Sequence, residues 1–129
     1  MEHANTLEGN DILLKLNQRI SERGLEAMST AVVVSYYLKD KKFRFSYAGH
    51  YPVFIRKNGD GKWWPAELSL EATGMNLPLG VRDEAEYHQH EIDLEPGDNV
   101  FMFTDGVIET HITSDDYLGV QGLHDILNE

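Results

Sequence analysis

The sequence predicts an α+β fold in which a run of antiparallel strands is flanked by a helix at each end. Three observations predict it: an amphipathic helical pattern early in the chain, short strand-like stretches joined by polar turns, and a weaker helical pattern at the end. This order differs from the regular strand–helix alternation of a doubly wound sheet. At 129 residues the chain has the length of one domain with its own core, so we expect a single domain over residues 1–129.

The first helix is predicted at residues 10–23. Asn10 suits the N-cap and Asp11 suits the positive first turn. The apolar residues at helical spacing are Ile12, Leu13, Leu16 and Ile20. Gly24 fits the position that ends a helix. Residues 1–9 carry no pattern, and we expect them to be a loose lead-in.

Strands are predicted in the middle of the chain. Residues 30–38 are β-branched and aromatic, which is typical of a strand at the centre of a sheet. After a polar turn at residues 39–41, apolar and polar residues alternate over residues 43–47, and the two strands should pair as a hairpin. Residues 51–57 continue as a strand, and the Asn-Gly-Asp-Gly stretch at residues 58–61 predicts a hairpin turn.

Further strands and a helix are predicted towards the end. Residues 65–80 are less regular, and residues 77–81 form a compact apolar loop. Residues 86–94 alternate, and the side chains sharing one face are His88, His90, Ile92 and Leu94. Glu-Pro-Gly-Asp at residues 95–98 predicts a type II turn that leads into residues 100–103, an apolar strand expected to be buried on both faces. The apolar spacing over residues 118–127 predicts a weakly amphipathic helix.

Composition excludes several function classes. The 11 basic and 22 acidic residues give a formal charge of −11, which disfavours broad surfaces for nucleic acid or anionic lipid. The absence of cysteine excludes disulfides, thiol nucleophiles and thiolate metal sites. No apolar run reaches the ~20 residues that cross a bilayer, and the first residues lack the apolar core of a signal peptide. We therefore expect a cytoplasmic protein with no nucleic-acid or membrane partner.

Thr104-Asp105-Gly106 is the main candidate site, because a carboxylate follows directly on an apolar strand. Asp105 either caps the turn or a following helix, or it carries chemistry. Gly106 has no Cβ, so the backbone can turn sharply there and a ligand can approach. Glu109 could face Asp105 across one helical turn, or could simply favour the first turn of a helix. Asp98 lies roughly 23 Å from Asp105 along an extended strand, so we assign it to the turn.

Histidines and other acidic residues are weaker candidates. His88 and His90 share a strand face and could hold a metal, although no third ligand is evident. His50 is expected to hydrogen-bond the loop backbone. Asp115 and Asp116 are expected to cap the last helix, with ligation as the alternative. The histidines that carry no signal are His3, His111 and His124. The sequence has neither a nucleophile elbow nor a glycine-rich phosphate loop.

Four blocks in order, FSYAGHYPVFIRKNG, LPLGV, IDLEPGDNVFMFTDGVIET and YLGVQGLHDIL, resemble PPM-type (type 2C) serine/threonine protein phosphatases. The resemblance is strongest to the bacterial branch typified by the stage II sporulation phosphatase and the phosphatases of the general stress response. It implies an α-β-β-α layered sandwich with a two-metal Mn²⁺ or Mg²⁺ site. A metal-activated water would dephosphorylate a phosphoserine or phosphothreonine of a regulatory protein, of the anti-anti-sigma type.

The resemblance carries over one metal ligand, Asp105, with Glu109 and Gly106 beside it, and no further catalytic residue. The N-terminal Asp-x-Ser-Gly-His-Gly motif and the closing Asp-Asp-x-Thr strand of such phosphatases are absent from the sequence. We therefore expect the central and later part of the domain, either truncated at both ends or degenerate, with an incomplete catalytic site. Unpaired strand edges would then favour self-association.

Two alternatives remain at this point. One is a non-catalytic regulatory or binding module on the same scaffold. The other is a cupin-like metal-binding sandwich that uses His88 and His90.

Overall fold

The computed structural model describes residues 8–66 and 76–129, so residues 1–7 and part of the irregular stretch 65–80 lie outside the described residues. The helices are α1 (Gly9–Ser21), α2 (Asp105–Ile108) and α3 (Gly119–Leu127), with a short 3₁₀ helix at Leu25–Ala27. The strands are β1 (Ala31–Tyr37), β2 (Lys42–Ala48), β3 (Phe54–Arg56), β4 (Trp64–Pro65), β5 (His90–Asp93) and β6 (Asn99–Phe101). Two compact units result, one from residues 8–50 and 76–93 and one from residues 51–66 and 94–129. No helix in the described ranges has both the length and the apolar character that crossing a membrane requires.

The first unit contains a three-stranded antiparallel sheet in the order β1–β2–β5. The predicted hairpin is confirmed, with β1 and β2 paired from Ala31 opposite Ala48 to Tyr37 opposite Lys42. β5 pairs with the other edge of β2, where Phe45 lies opposite His90. The central strand is therefore β2, whose alternating aromatic residues are buried as predicted: Phe43, Phe45 and Tyr47.

The prediction that residues 30–38 form a central strand is wrong for the sheet that the described residues form. β1 lies at its edge, Ala31–Ser35 are only partly buried, and Tyr36 and Tyr37 are exposed. A continuous β-branched run fits a pleated surface of any kind, so its composition does not distinguish an edge strand from a central one.

Helix α1 packs on this sheet through a narrower face than its apolar spacing predicted. Leu13 is fully buried in a cluster with Ala48, Leu79 and Tyr87, whereas Leu16 remains 39% exposed. The helix begins at Gly9 rather than after an Asn10 cap. The N-cap is Glu8, whose own side chain makes no capping bond, and Gln89 Oε1 accepts a 2.9 Å hydrogen bond from the N–H of Gly9. Gly9 is buried, and a Cβ there would lie 3.0 Å from Ser46 Oγ. Close packing on β2 and the hydrogen bond to Gln89, rather than the predicted Asn10 cap, therefore fix the start of α1.

Asn17 is fully buried on the same face of α1 and holds the predicted loop at residues 77–81. Its Nδ2 donates to the carbonyl of Arg82 (2.8 Å), and its Oδ1 accepts from the N–H of Gly80 (2.8 Å). On the other side of the loop, Leu79 exchanges two backbone hydrogen bonds with Ser29, of 2.7 and 3.1 Å. The loop is therefore tied to both α1 and the segment that leads into β1.

The second unit contains a three-stranded antiparallel sheet in the order β4–β3–β6. Ile55 of β3 lies between Trp64 of β4 and Val100 of β6. The predicted turn at residues 58–61 is confirmed and is closed by a 3.1 Å bond from the N–H of Asp60 to the carbonyl of Lys57. The core joins this sheet to α2 and α3 through Phe54, Phe103, Ile108 and Leu123.

The strand predicted at residues 100–103 is shorter and less buried than its apolar run indicated. β6 ends at Phe101, and Met102 is 47% exposed while Phe103 is buried. The prediction of burial on both faces is therefore wrong. Of the four consecutive apolar residues, Phe103 is buried in the core, whereas Met102 is exposed to water. Single apolar side chains are often exposed on protein surfaces.

The predicted turn at residues 95–98 is confirmed, with Gly97 at φ 92° and a 3.0 Å bond from the N–H of Asp98 to the carbonyl of Glu95. The carboxylate of Asp98 is only 3% exposed. It accepts hydrogen bonds from Lys57 Nζ (2.7 Å) and from the N–H groups of Glu95 and Asn58 (both 2.8 Å). These hydrogen bonds lower the pKa of Asp98 to about 2, and the bond from Lys57 has a larger effect than that from either backbone N–H group. Asp98 is therefore a turn residue, as predicted, and it also joins the two turns that flank β3 and β6.

Candidate active site

Asp105 is the first residue of α2 and lies four residues beyond Phe101, the last residue of β6. Its Oδ1 is buried and has no hydrogen-bond partner among the described residues. The N-cap of α2 is Thr104, so Asp105 does not fill the capping position. A buried carboxylate oxygen without a donor is costly unless a cation or an ordered water binds it. This environment favours a ligand role over the capping interpretation.

Gly106 does not make the sharp turn predicted for it. It lies inside α2 without a positive φ, and the nearest described atom to an added Cβ is Thr104 Oγ1, at 3.9 Å. The backbone there follows an ordinary helical path that any residue could adopt. Space beside Asp105 is the remaining reason for a glycine, and its place next to a metal ligand stays a prediction.

Glu109 follows the last residue of α2, and its N–H donates to the carbonyl of Asp105 at 2.9 Å. It therefore lies one helical turn after Asp105, and the interpretation that it favours the first turn of a helix is wrong. Its carboxylate is exposed, and none of the described residues makes an ion pair with it. Glu109 instead lines a cavity of about 710 Å³ at this end of α2.

His88 and His90 do not form the metal pair considered from the sequence. His90 stacks on Phe45 with ring centroids 5.3 Å apart, whereas His88 is exposed. Burial, and secondly the charge of His88, lower the pKa of His90. Within residues 8–66 and 76–129, no three histidine, aspartate or glutamate side chains group so that they could hold a metal ion.

His50 is buried beside Tyr47, with nearly parallel rings 6.3 Å apart. Its carbonyl accepts a 3.0 Å bond from Asn76 Nδ2, and Asn76 Oδ1 accepts a 2.7 Å bond from the N–H of Gly49. Gly49 has φ 65°, and a Cβ there would lie 2.6 Å from the ring of Pro78. This glycine therefore permits the close approach between the strand break and the loop.

Two histidines without a signal in the sequence make specific contacts. His111 packs on Tyr117, with ring centroids 4.3 Å apart and an antiparallel bridge between their backbones. His124 Nε2 lies 2.6 Å from the carbonyl oxygen of Trp63, and its ring lies 5.5 Å from that of Phe54. These partners of His124, with the ring of Trp64, are 60 or more residues away along the chain, so no local pattern could have revealed them.

Asp115 and Asp116 do not cap α3, because the N-cap position is Leu118 and no cap bond from a described side chain is formed there. They lie in a turn in which the N–H of Asp116 donates to Thr113 Oγ1 (3.1 Å), and Thr113 Oγ1 donates to Asp116 Oδ2 (3.2 Å). The side chains of the Thr-Ser-Asp-Asp stretch therefore form hydrogen bonds within their own turn, which is common for these residue types.

Comparison with known proteins identifies the family. The sequence model of Stage II sporulation protein E (SpoIIE) matches residues 2–129. The chain belongs to the SpoIIE family. It is also 30% identical over 122 residues to the phosphoserine phosphatase RsbU of Bacillus subtilis (strain 168), an alignment that covers 93% of the chain and 34% of RsbU. The predicted resemblance is therefore confirmed, and the SpoIIE-family chain spans about a third of the length of that relative.

The fold agrees with this family. The chain superimposes on the phosphatase domain of the Bacillus subtilis cell fate determinant SpoIIE, in its Mn-presoaked structure, with a TM-score of 0.55 and 21% identity. The match covers 98% of the chain and 51% of that domain. The predicted α+β class of a PPM phosphatase domain is confirmed, and the cupin-like alternative is excluded.

Proposed function

We propose that this SpoIIE-family chain is part of a cytoplasmic, metal-dependent phosphatase that removes phosphate from phosphoserine or phosphothreonine in a regulatory protein. The partner we propose is of the anti-anti-sigma type. The likeness to RsbU, a phosphoserine phosphatase, supports the reaction class. The observation that carries the proposal is the buried Oδ1 of Asp105, which lacks a hydrogen-bond donor among the described residues at the start of α2.

Asp105 fits a hard divalent cation such as Mn²⁺ or Mg²⁺, because these ions prefer carboxylate oxygen. It fits as one ligand of a site, since the described ranges bring no group of three ligand side chains together. A bound metal pair supplies hydroxide at neutral pH and neutralises phosphate charge. The carboxylate of Asp105 could thus supply one of the oxygen ligands of such a metal site.

The surrounding elements hold Asp105 firmly. Before it, β6 is paired with β3, and Phe103 is buried against Phe54. After it, Ile108 anchors α2 in the same core. Because both flanks are packed, the backbone position of Asp105 is set before any ligand binds, which helps to preorganise a metal ligand. Gly106 leaves room beside it.

A non-catalytic regulatory module on the same scaffold is the second candidate. It is favoured because the described residues bring no three potential ligand side chains together. The two candidates differ in one measurable respect. Substitution of Asp105 should change phosphate release if the chain is part of a phosphatase, and only the binding of the partner protein if it is a regulatory module.

The test is Asp105→Asn in the full-length protein. We expect Mn²⁺-dependent hydrolysis of a phosphoserine peptide to fall by about a hundredfold or more, because an amide oxygen replaces an anionic ligand. The melting temperature should hardly change, since the substituted oxygen has no described donor to lose. Asp60→Asn is the matched control, because it removes the same charge from an exposed turn that has no proposed part in metal binding. Hydrolysis by Asp105→Asn within about twofold of the control would contradict the proposal.

A further inference from the structure

A cavity of about 710 Å³ lies at the C-terminal end of α2, within the second unit. Its lining includes Tyr51, Ile108, Glu109, His111, Tyr117 and Val120. The volume is within the range of sites that bind small ligands or side chains. Glu109 lies four residues after Asp105, which is about 6 Å along the axis of a helix. The cavity is therefore next to the segment that carries the candidate metal ligand.

The walls of the cavity combine aromatic rings with one carboxylate. Tyr51 and Tyr117 are 42% and 57% exposed, so each residue is partly open to solvent at the cavity. Tyr117 packs on His111 at 4.3 Å, and Tyr51 packs on Phe103 at 6.5 Å, so both rings are held in place. A planar cation can stack on tyrosine while it pairs with a carboxylate, a combination that suits arginine better than the compact, strongly hydrated ammonium of lysine.

The segment of the second unit that carries Glu109 has no lysine or arginine to pair with its carboxylate. The sequence contains neither lysine nor arginine after Arg82, although acidic residues continue to Glu129. The second unit therefore has no basic residue of its own in the segment that carries Glu109, and the described residues form no ion pair with Glu109. An arginine from outside would complement the exposed carboxylate and the formal charge of −11.

We propose that this cavity binds an arginine side chain of the phosphoprotein substrate, near the residue that is dephosphorylated. This inference rests on the proposed function for the identity of the substrate, but not for the binding of arginine itself. The guanidinium stacks on a tyrosine ring and pairs with Glu109. Glu109 lies about 6 Å from Asp105 along the helix axis, and an extended peptide advances about 3.3 Å per residue, so we expect the arginine about two to four residues from the phosphoserine.

Binding of arginine is tested by NMR titration of the ¹⁵N-labelled full-length protein with N-acetyl-argininamide. N-acetyl-citrullinamide is the matched ligand, because it keeps the planar shape and removes the charge. We expect arginine to shift the backbone amides of Glu109, His111 and Val120, and citrulline to bind at least about fivefold more weakly. Equal binding of the two ligands, or shifts confined to other residues, would overturn the proposal.

Variants locate the site. Glu109→Gln and Tyr117→Leu should each weaken arginine binding about three- to fivefold, the size expected for an exposed ion pair and an exposed cation–π contact. Asp115→Asn removes the same charge as Glu109→Gln from a neighbouring turn that does not line the cavity. An equal loss in Asp115→Asn and Glu109→Gln would show a general charge effect and overturn the site.

The substrate assignment has its own measurement. Phosphoserine peptides with arginine or citrulline three residues away are hydrolysed by the full-length protein in Mn²⁺. We expect the arginine peptide to have a KM lower by about fivefold at similar kcat, which is the pattern of ground-state binding. Equal KM values would overturn the substrate assignment and leave the phosphatase intact. Hydrolysis of neither peptide would contradict the proposed function and the substrate, while the NMR result would still decide the arginine site.

Discussion

At the scale of single residues, Asp98 shows how one carboxylate can hold two turns together. Its three hydrogen bonds, from Lys57, Glu95 and Asn58, all favour the ionised form. They lower its pKa from 3.8 to about 2. Because the folded pKa is below the unfolded one, the stabilisation is complete above about pH 5 and is lost as the pH falls towards about 2.

Asp98→Asn should therefore lower the free energy of unfolding by about 1–2 kcal/mol at neutral pH, and by much less near pH 2. Urea unfolding at both pH values measures this difference. Asp60→Asn is the control, because Asp60 is an exposed residue of the neighbouring turn and its carboxylate forms no hydrogen bond with a described residue. A loss for Asp98→Asn that does not depend on pH would show that the charge is not responsible.

Asn17 is the buried polar residue that sequence periodicity did not reveal. Substitution by leucine removes the partners of the Gly80 N–H and the Arg82 carbonyl, which lie 2.8 Å from the Asn17 amide. We expect Asn17→Leu to destabilise the protein by about 2–3 kcal/mol, because buried backbone groups lose their hydrogen bonds. Gln18→Leu, on the exposed side of α1, should change stability by at most about 0.5 kcal/mol. Equal values in thermal or urea unfolding would contradict this role.

At the scale of elements, Asn128 fastens the end of α3 to the segment before β4. Its Oδ1 accepts from the N–H of Trp63 (2.7 Å), and its Nδ2 donates to the carbonyl of Trp63 (3.1 Å). The side-chain amide thus replaces a strand partner for Trp63. His124 reaches the same carbonyl, so two residues of one helix end hold one backbone position.

Asn128→Ala should cost about 1 kcal/mol and speed hydrogen exchange at the amide of Trp63 and in the last turn of α3. The matched substitution is Gln121→Ala, which removes only an exposed bond to Asp125 within the helix. Its effect should stay within about 0.5 kcal/mol and be confined to α3. Unchanged exchange at Trp63 in Asn128→Ala would show that the two hydrogen bonds do not persist in solution.

At the scale of the whole molecule, the 129-residue chain by itself should bind Mn²⁺ weakly. A two-metal site needs several converging carboxylates, because the ions arrive hydrated and Mg²⁺ releases water reluctantly. The described residues offer Asp105 without two further ligands grouped around it. Stabilisation by a ligand follows RT ln(1 + [L]/Kd), so weak binding leaves the melting temperature almost unchanged.

We therefore expect little thermal shift in millimolar Mn²⁺ and no hydrolysis of a phosphoserine peptide by residues 1–129 alone. Calorimetry is the decisive measurement. Micromolar affinity would overturn this prediction and would make Glu109, Asp115 and Asp116 the first residues to test as additional ligands.

The sequence by itself determined the family, both long helices, the β1–β2 hairpin and the turns around residues 58–61 and 95–98. It also singled out Asp105. These features are local: helical spacing, period-2 alternation and turn residues act within a few positions, and the blocks of the resemblance are contiguous.

The tertiary structure alone decided the features that depend on distant partners. It placed β2 rather than β1 at the centre of its sheet and buried Asn17 against residues 63 and more positions away. It also buried Asp105 Oδ1 where no described residue donates a hydrogen bond to it, and it formed the aromatic cavity beside Glu109. Which strands pair, which side chains are buried and which polar groups find hydrogen-bond partners all depend on the segments that meet in space. The composition of a segment indicates its preferred secondary structure but not the segment it packs against.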